Sequence, residues 1–228
     1  MAERTAILVP AYQARATVGG VVARLRELHP DLPVLVVDDG SRDGTGKAAR
    51  EAGAQVLELP QNGGKGTALS TGMSRLAQEG FEWALCLDAD GQHLPEDVAG
   101  FLSHRPSDRC GVVVGARDLR PRSMPWPRVC SNRLTTFLLG LQAGKRLWDS
   151  QCGFRMVRLA AAAEAGLPAH GRFEWESEAL VRIARARWDV ERVRVRTVYN
   201  DAGSHIRPWR DTMRFVRLWF RLWAWILR

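Results

Sequence analysis

Residues Trp83 to His93, WALCLDADGQH, place two carboxylates where they could do chemistry. An apolar run, Ala84 to Leu87, stops at Asp88 and Asp90, followed by Gly91, which is how a buried strand delivers acidic groups to its exposed end. Residues two apart on an extended backbone point to the same side, so the pair can converge on one cation or cation-phosphate cluster, with Gln92 able to join them. A plain polar turn uses the same residue types, since Asp and Gly are ordinary turn residues. A calcium loop opening D-x-D is excluded, because it needs Gly where His93 stands and Glu where Ala99 stands.

The elements that would position these groups alternate. Ala6 to Val9 reads as a strand broken by Pro10, and Val18 to Leu28 as a helix with apolar residues at helical spacing. Val34 to Val37 is a second strand ending in Asp38 and Asp39, with Asp43-Gly44 leading into a helix through Ala52. Gln55 to Leu59 is a third strand, and Asn62-Gly63-Gly64-Lys65-Gly66 is a flexible loop opening a helix through about Leu76. Trp83 to Leu87 is the fourth strand. This alternation predicts βαβ units, a parallel sheet, and a ligand crevice at the strands' carboxyl ends. Pro10-Ala11-Tyr12, Asp38-Asp39, the glycine loop and Asp88-Asp90 all fall at those ends. Further on, the pattern predicts a short helix over Pro95 to Leu102, a strand at Val112 to Val114, a proline-containing loop from Arg120 to Arg128 and a helix from about Asn132 to Leu141. Asp149 to Arg155 reads as a polar turn. Helices follow at Ala160 to Ala165 and Glu174 to Ala186, then an alternating edge strand at Val190 to Val198.

Composition narrows the class of partner. The chain of 228 residues has room for one sizeable core. It carries 33 basic against 25 acidic residues, a net +8, and only Lys47, Lys65 and Lys145 are lysines. Arginine forms bidentate contacts with phosphate, so the excess suits phosphate-bearing ligands or an anionic membrane; biased base composition would produce it too. Cys86, Cys110, Cys130 and Cys152 show no C-x-x-C spacing, which fits a reducing, cytoplasmic setting. MAERTAILVP enters a strand at once, without the charged region and apolar core of a signal peptide, and no run of 18 uncharged apolar residues predicts a transmembrane helix.

A P-loop is excluded, since Gly66 follows Lys65 where Ser or Thr is required, and no G-x-G-x-x-G is present. There remains a Rossmann-like sheet suited to a nucleotide and its metal-bound diphosphate, for which a sugar nucleotide is the obvious ligand. PAYQ at 10–13, VVDDGS at 36–41, NGGKGTA at 62–68, DADGQH at 88–93, GAR at 115–117, SNR at 131–133 and DSQCGFR at 149–155 together resemble glycosyltransferase family 2. Within it, the chain is most similar to the polyprenyl-phosphate sugar synthases typified by dolichyl-phosphate mannose synthase, over residues from about 6 to 212.

The resemblance implies an α/β GT-A fold, a mostly parallel sheet flanked by helices, and a magnesium or manganese ion. Carried onto matching positions, it implies that Pro10, Tyr12 and Asp39 contact the nucleoside, with Gln13 beside them and Lys65 also on the donor side. Asp88, Asp90 and Gln92 would hold the metal. Arg117 and Arg133, with Ser131 and Asn132 near them, would face an acceptor phosphate, and Ser204, His205 and Arg207 would close over the donor diphosphate. Hydroxyl-directed members usually carry a Glu-Asp pair as general base, whereas a phosphate acceptor arrives ionised and needs positive charge instead. FEWESEAL at 173–180 lacks that pair, so Glu174, Glu176 and Glu178 read mostly as helix-surface or structural groups.

The resulting expectation is an inverting transferase moving a sugar from a nucleotide donor to a polyprenyl phosphate at the cytoplasmic membrane face, with no nucleic-acid partner and with room for a membrane-protein partner. Two rivals stand beside it: a transferase acting on a hydroxyl of another lipid or saccharide of the cell envelope, with a base such as Glu176, and a non-catalytic membrane scaffold. The chain divides into a catalytic domain, 1–207, and an amphipathic segment, 208–228. Arg207, Arg210, Arg214, Arg217 and Arg221 recur at steps of three and four, and Trp209, Trp219, Trp223 and Trp225 lie in the last 20 residues. An arginine stripe beside Phe215, Trp219, Phe220, Trp223 and Ile226 predicts a peripheral helix on anionic lipid; an apolar face packed on the catalytic domain is the other outcome.

Overall fold

The computed structural model describes residues 4–117, 126–172, 174–196 and 208–227. Its first half alternates as expected: β1 (Thr5–Ala11), α1 (Arg15–Leu28), β2 (Val34–Asp38), α2 (Thr45–Glu51), β3 (Gln55–Glu58), α3 (Lys65–Gln78) and β4 (Trp83–Cys86). A 3-10 turn at Pro95–Asp97 leads into α4 (Val98–Ser103), then β5 (Cys110–Arg117), α5 (Trp126–Ala143), β6 (Arg155–Arg158), α6 (Leu159–Glu164), α7 (Trp175–Arg185), β7 (Asp189–Val195) and α8 (Pro208–Ile226). The seven strands form one sheet in the order β3-β2-β1-β4-β6-β5-β7. Among the described residues, only β6 runs antiparallel to its neighbours. The carboxyl ends of β1, β2 and β4 therefore share one edge.

Several boundaries differ from the sequence pattern, each for a physical reason. Pro10 does not break β1; the strand continues to Ala11, with Pro10 opposite Val37 and the Asp39 N–H donating to the Ala11 carbonyl beyond it. Helix α5 starts at Trp126 rather than near Asn132, because Pro127 falls in its first turn, where a missing N–H costs nothing. The preceding residues, 118–125, lie outside the described residues. Strand β6 has no counterpart in the sequence pattern, where 149–155 has the composition of a polar turn. It is only four residues long, and it begins with a buried charge, Arg155.

The core lies on both faces of the sheet, with Ile7, Leu8, Leu25, Leu76, Leu85, Phe101, Phe154 and Leu180 fully buried. Each such side chain contributes roughly 1.5 to 3 kcal/mol by leaving water. That packing fixes where α3 and α7 meet. A Cβ on Gly66 would stand 2.5 Å from the Trp175 side chain, so only glycine lets the start of α3 abut the start of α7.

Helix α8 joins the same body. Leu218 and Leu222 are buried in the core, Gln142 of α5 donates to the Trp219 carbonyl, and Arg221 pairs with Glu178 of α7. Arg182 bonds Glu178 as well and lies over the Trp225 ring at 4.4 Å. Among the described residues no helix is long and apolar enough to cross a membrane. The expected arginine stripe is thus partly used internally, by Arg221. The exposed side carries Met213, Val216, Phe220 and Leu227 alongside Arg217, while the side chains of Arg210 and Arg214 lie outside the described residues.

Candidate active site

At the shared edge, each chain turn is held by backbone N–H groups donated to aspartates. Asp38 accepts the N–H of Ser41 at 3.0 Å and of Gly46 at 2.9 Å. Asp39, also buried, accepts Gly63 and Gly64 through its two oxygens, each at 2.8 Å. The structure therefore commits Asp39 to pinning the glycine loop. Gly64 has φ +94°, and a Cβ there would meet the Gly171 carbonyl at 2.7 Å, so the loop enters α3 by a path open only to glycine. Pro10 is buried within β1; Tyr12, just beyond it, is exposed. Gln13 takes a left-handed φ of +51° and donates its N–H to Ser41 Oγ. That bond sets Gln13 beside the turn that follows β2, with exposed Tyr12 next to it in the chain.

This route aims Lys65, the first residue of α3, at the end of β4. Its Nζ lies 2.5 Å from Asp88 Oδ1 and 3.0 Å from Glu176 Oε2 of α7. Burial works against the ammonium, but the two carboxylates outweigh it and hold Lys65 above the ordinary lysine range. Burial likewise works against ionising Asp88, and the Lys65 charge overcomes it, keeping that carboxyl below its usual range. Behind Asp88, burial lowers the pKa of His93, which stacks near Phe154 and accepts the Asp88 N–H on Nδ1 at 3.1 Å. A neutral ring with its proton on Nε2 satisfies that bond.

Of the three glutamates in FEWESEAL, the structure sets one apart, Glu176, which is also the base that the hydroxyl-acceptor alternative would use. Glu174 lies just outside α7 and Glu178 is a structural anchor for α8, but Glu176 belongs to the site. The spacing W-E-S-E on a helix was visible; that position 176 faces a lysine 111 residues away was not.

Asp90 is exposed and accepts the Gln92 N–H on Oδ1 at 2.9 Å, so it stands at the opening of the turn. Among the described residues no three His, Cys, Asp or Glu side chains make a ready metal cage. Magnesium-type ions do not require one, being held by one or two carboxylates together with substrate phosphates. The surroundings of Gly153 bear on the fit. A Cβ there would stand 2.9 Å from Lys65 Nζ, 3.0 Å from Glu176 Oε1 and 3.1 Å from Asp88 Oδ2, so glycine leaves those polar atoms uncovered. These oxygen donors fit a hard divalent ion. Thiolate chemistry does not fit, since burial pushes Cys86, Cys110 and Cys152 up to about 12.

A second cluster forms where β5 ends. Arg117 grips Asp149 in a two-pronged bridge, Nε at 2.6 Å and Nη2 at 2.9 Å, and Asn132 of α5 donates to the same carboxylate at 2.8 Å. Burial opposes the Asp149 charge, and the Arg117 guanidinium overcomes it and holds the carboxyl below its ordinary range. Arg133, adjacent to Asn132, is exposed, as is Ser131. Buried Arg155 ties the linking segment together, donating to the carbonyls of Cys152, Ser150 and Glu176 at 2.6, 2.7 and 2.5 Å. In the sequence Asp149 and Arg155 are only the ends of the DSQCGFR motif; in the fold they bracket Gly153 and join the two clusters. Ser204, His205 and Arg207 lie outside the described residues.

A sheet that brings a D-x-D pair, a glycine-loop lysine and two strand-end aspartates to one edge has the GT-A architecture of nucleotide-sugar glycosyltransferases. Residues 6–166 match the sequence model of Glycosyl transferase family 2, and the chain belongs to that family. Among its relatives, UDP-N-acetylglucosamine--dolichyl-phosphate N-acetylglucosaminyltransferase of Methanococcus voltae is 28% identical over 86% of this chain and 86% of its own length. Undecaprenyl-phosphate mannosyltransferase of Micrococcus luteus is 31% identical, over 68% of this chain and 66% of its own. In fold, the chain is similar to glucosyl-3-phosphoglycerate synthase of Mycobacterium tuberculosis, solved with Mn2+, uridine diphosphate and glucosyl-3-phosphoglycerate, with a TM-score of 0.65 at 17% identity over 97% of this chain and 79% of that one.

Proposed function

We propose that this chain is an inverting glycosyltransferase that moves a sugar from a nucleotide donor to a polyprenyl phosphate at the cytoplasmic face of a membrane. The acceptor side carries the reading: Arg117 is held on Asp149 together with Asn132, exposed Arg133 follows Asn132 in α5, and Glu176, the base a hydroxyl acceptor would require, is paired with Lys65. The lipid-phosphate acceptors in the names of the two relatives support the same class.

Asp88 and Asp90, with Gln92 beside them, would hold a magnesium or manganese ion, which supplies charge neutralisation for a departing diphosphate. The remaining work falls to the chain's own residues. Tyr12 and Gln13 flank the nucleoside, and Asp39 serves that region by holding the glycine loop rigid. Arg117 and Arg133 receive the acceptor phosphate, whose oxygen attacks the anomeric carbon as the bond to the diphosphate oxygen breaks. Because that phosphate is already an anion, no side chain has to remove a proton. Ser204, His205 and Arg207 are assigned to the donor diphosphate from their motif.

Membrane attachment completes the proposal. Segment 208–228 supplies one element through Met213, Val216 and Phe220, and α5 offers Leu134, Phe137 and Leu141, exposed at helical spacing. Exposed Arg217 would meet anionic headgroups, worth about 1 kcal/mol near the surface. Such a surface brings the enzyme to an acceptor that never leaves the bilayer.

A panel of radiolabelled nucleotide sugars, incubated with defined polyprenyl phosphates, tests the reading. Expected is one donor whose label moves to the lipid through a phosphodiester. Label transferred instead to a lipid hydroxyl, or to no lipid at all, refutes it.

A further inference from the structure

The Lys65 ammonium stands against Asp88, the residue assigned above to a divalent ion, with Glu176 on its other side. Two carboxylates sharing one ammonium is more negative charge than a structural ion pair needs. The side chains of Lys65 and Glu176 are each only 13% exposed, so neither charge is well placed to be given up to water. The backbone below Lys65 is fixed: Gly64 is held by Asp39, and Gly66 is wedged against Trp175. What can move is the four-carbon stem, which needs only a rotamer change to transfer the ammonium between two oxygens already within its reach.

We propose that Lys65 is a placeholder cation and Glu176 its parking site: without donor the ammonium neutralises Asp88, and when the metal-bound donor arrives it shifts onto Glu176 and frees Asp88. This rests on the metal-dependent reading above and assigns positioning roles to two residues, neither of which has to touch the sugar. Glycine at 153 is part of the arrangement, because a side chain there would press on the ammonium, Glu176 and Asp88 together.

Removing Glu176 then traps Lys65 on Asp88. That effect is distinct from simple loss of a negative charge, because it exists only while Lys65 is present. A double-mutant cycle separates the two. Mn2+ affinity is measured by proton relaxation at saturating UDP, and in parallel at saturating GDP, for the full-length wild type, Lys65→Met, Glu176→Gln and the double variant. Thermal melting reports folding of each, and Lys65→Gln replaces Lys65→Met in the cycle if the latter does not fold. Expected are tighter Mn2+ binding in Lys65→Met and binding about tenfold weaker in Glu176→Gln, with the Glu176→Gln loss falling below about threefold once Lys65 is gone. Lys65→Arg, which keeps the charge, should retain the wild-type direction of coupling. Additive effects in the cycle overturn the proposal, since through-space charge alone gives additivity. Wild-type protein that fails to bind Mn2+ in the presence of UDP and of GDP alike overturns the metal-dependent reading itself, a different failure from additivity in a protein that binds.

Discussion

Replacing Asp149 by Asn keeps the shape and removes the charge around which the acceptor side is assembled. In the wild type that carboxylate accepts two bonds from Arg117 and one from Asn132, with its side chain 2% exposed and that of Arg117 17% exposed. Breaking one partner of a buried pair costs about 3 to 5 kcal/mol. Because the guanidinium keeps some access to water, the expected loss is about 2 to 4 kcal/mol. For a domain of this size that lowers Tm by roughly 4 to 16 °C. The pH dependence gives an independent check. The folded pKa of Asp149 lies below the ordinary value of 3.8, so its stabilisation is fully present above that value and is lost as pH falls through the folded pKa. The stability gap between wild type and Asp149→Asn, followed by urea unfolding at several pH values, should therefore be constant from neutral pH to about 5 and shrink below about 4. Transfer kinetics should show a raised KM for the lipid phosphate with donor affinity little changed. A variant within about 0.5 kcal/mol of wild type at neutral pH, or a gap that does not change in acid, would refute the assignment of Asp149 as the anchor of Arg117.

Asp90→Ala should abolish metal-activated transfer while leaving the melting temperature near that of wild type, since the side chain is exposed; unaltered activity in chelator would count against its role. Arg117→Ala and Arg133→Ala should each weaken use of the lipid phosphate by roughly tenfold to a hundredfold, the value of a charge-assisted phosphate contact, with donor calorimetry unchanged. Leu222→Ala, at a fully buried position of α8, should cost about 2 to 5 kcal/mol in urea unfolding if that helix is part of the folded body. The double variant Phe137→Glu/Phe220→Glu, at positions 63% and 67% exposed, should melt like the wild type yet fail to float with anionic vesicles; undiminished flotation would remove these helices from the membrane reading.

The strand-helix alternation of the first half was legible because it depends on local facts: short apolar-rich runs, each ended by Pro or Asp, separated by helical spacing. The same locality put the D-x-D pair, Asp38-Asp39 and the glycine loop at strand ends before any contact was known. Local pattern does not carry partnership between distant residues. In the sequence Lys65 is a donor-side loop residue and Glu176 one of three glutamates on a helix and a candidate base, and only the abutment of α3 on α7, permitted by glycine at position 66, brings Asp88 and Glu176 to one ammonium. The motif at 115–117 names Arg117 as an acceptor-side residue, but only packing brings Asp149 beneath it. Strand β6 escaped notice because four residues headed by an arginine look like a turn, and they become a strand only between β4 and β5, where three carbonyls satisfy the buried guanidinium. The amphipathicity of α8 was evident from its periodicity, yet periodicity cannot say what covers an apolar face. Tertiary packing decided that, burying Leu218 and Leu222 against the domain while leaving Val216 and Phe220 outward, because hydrophobic burial depends on area removed from water and not on the order of residues in the chain.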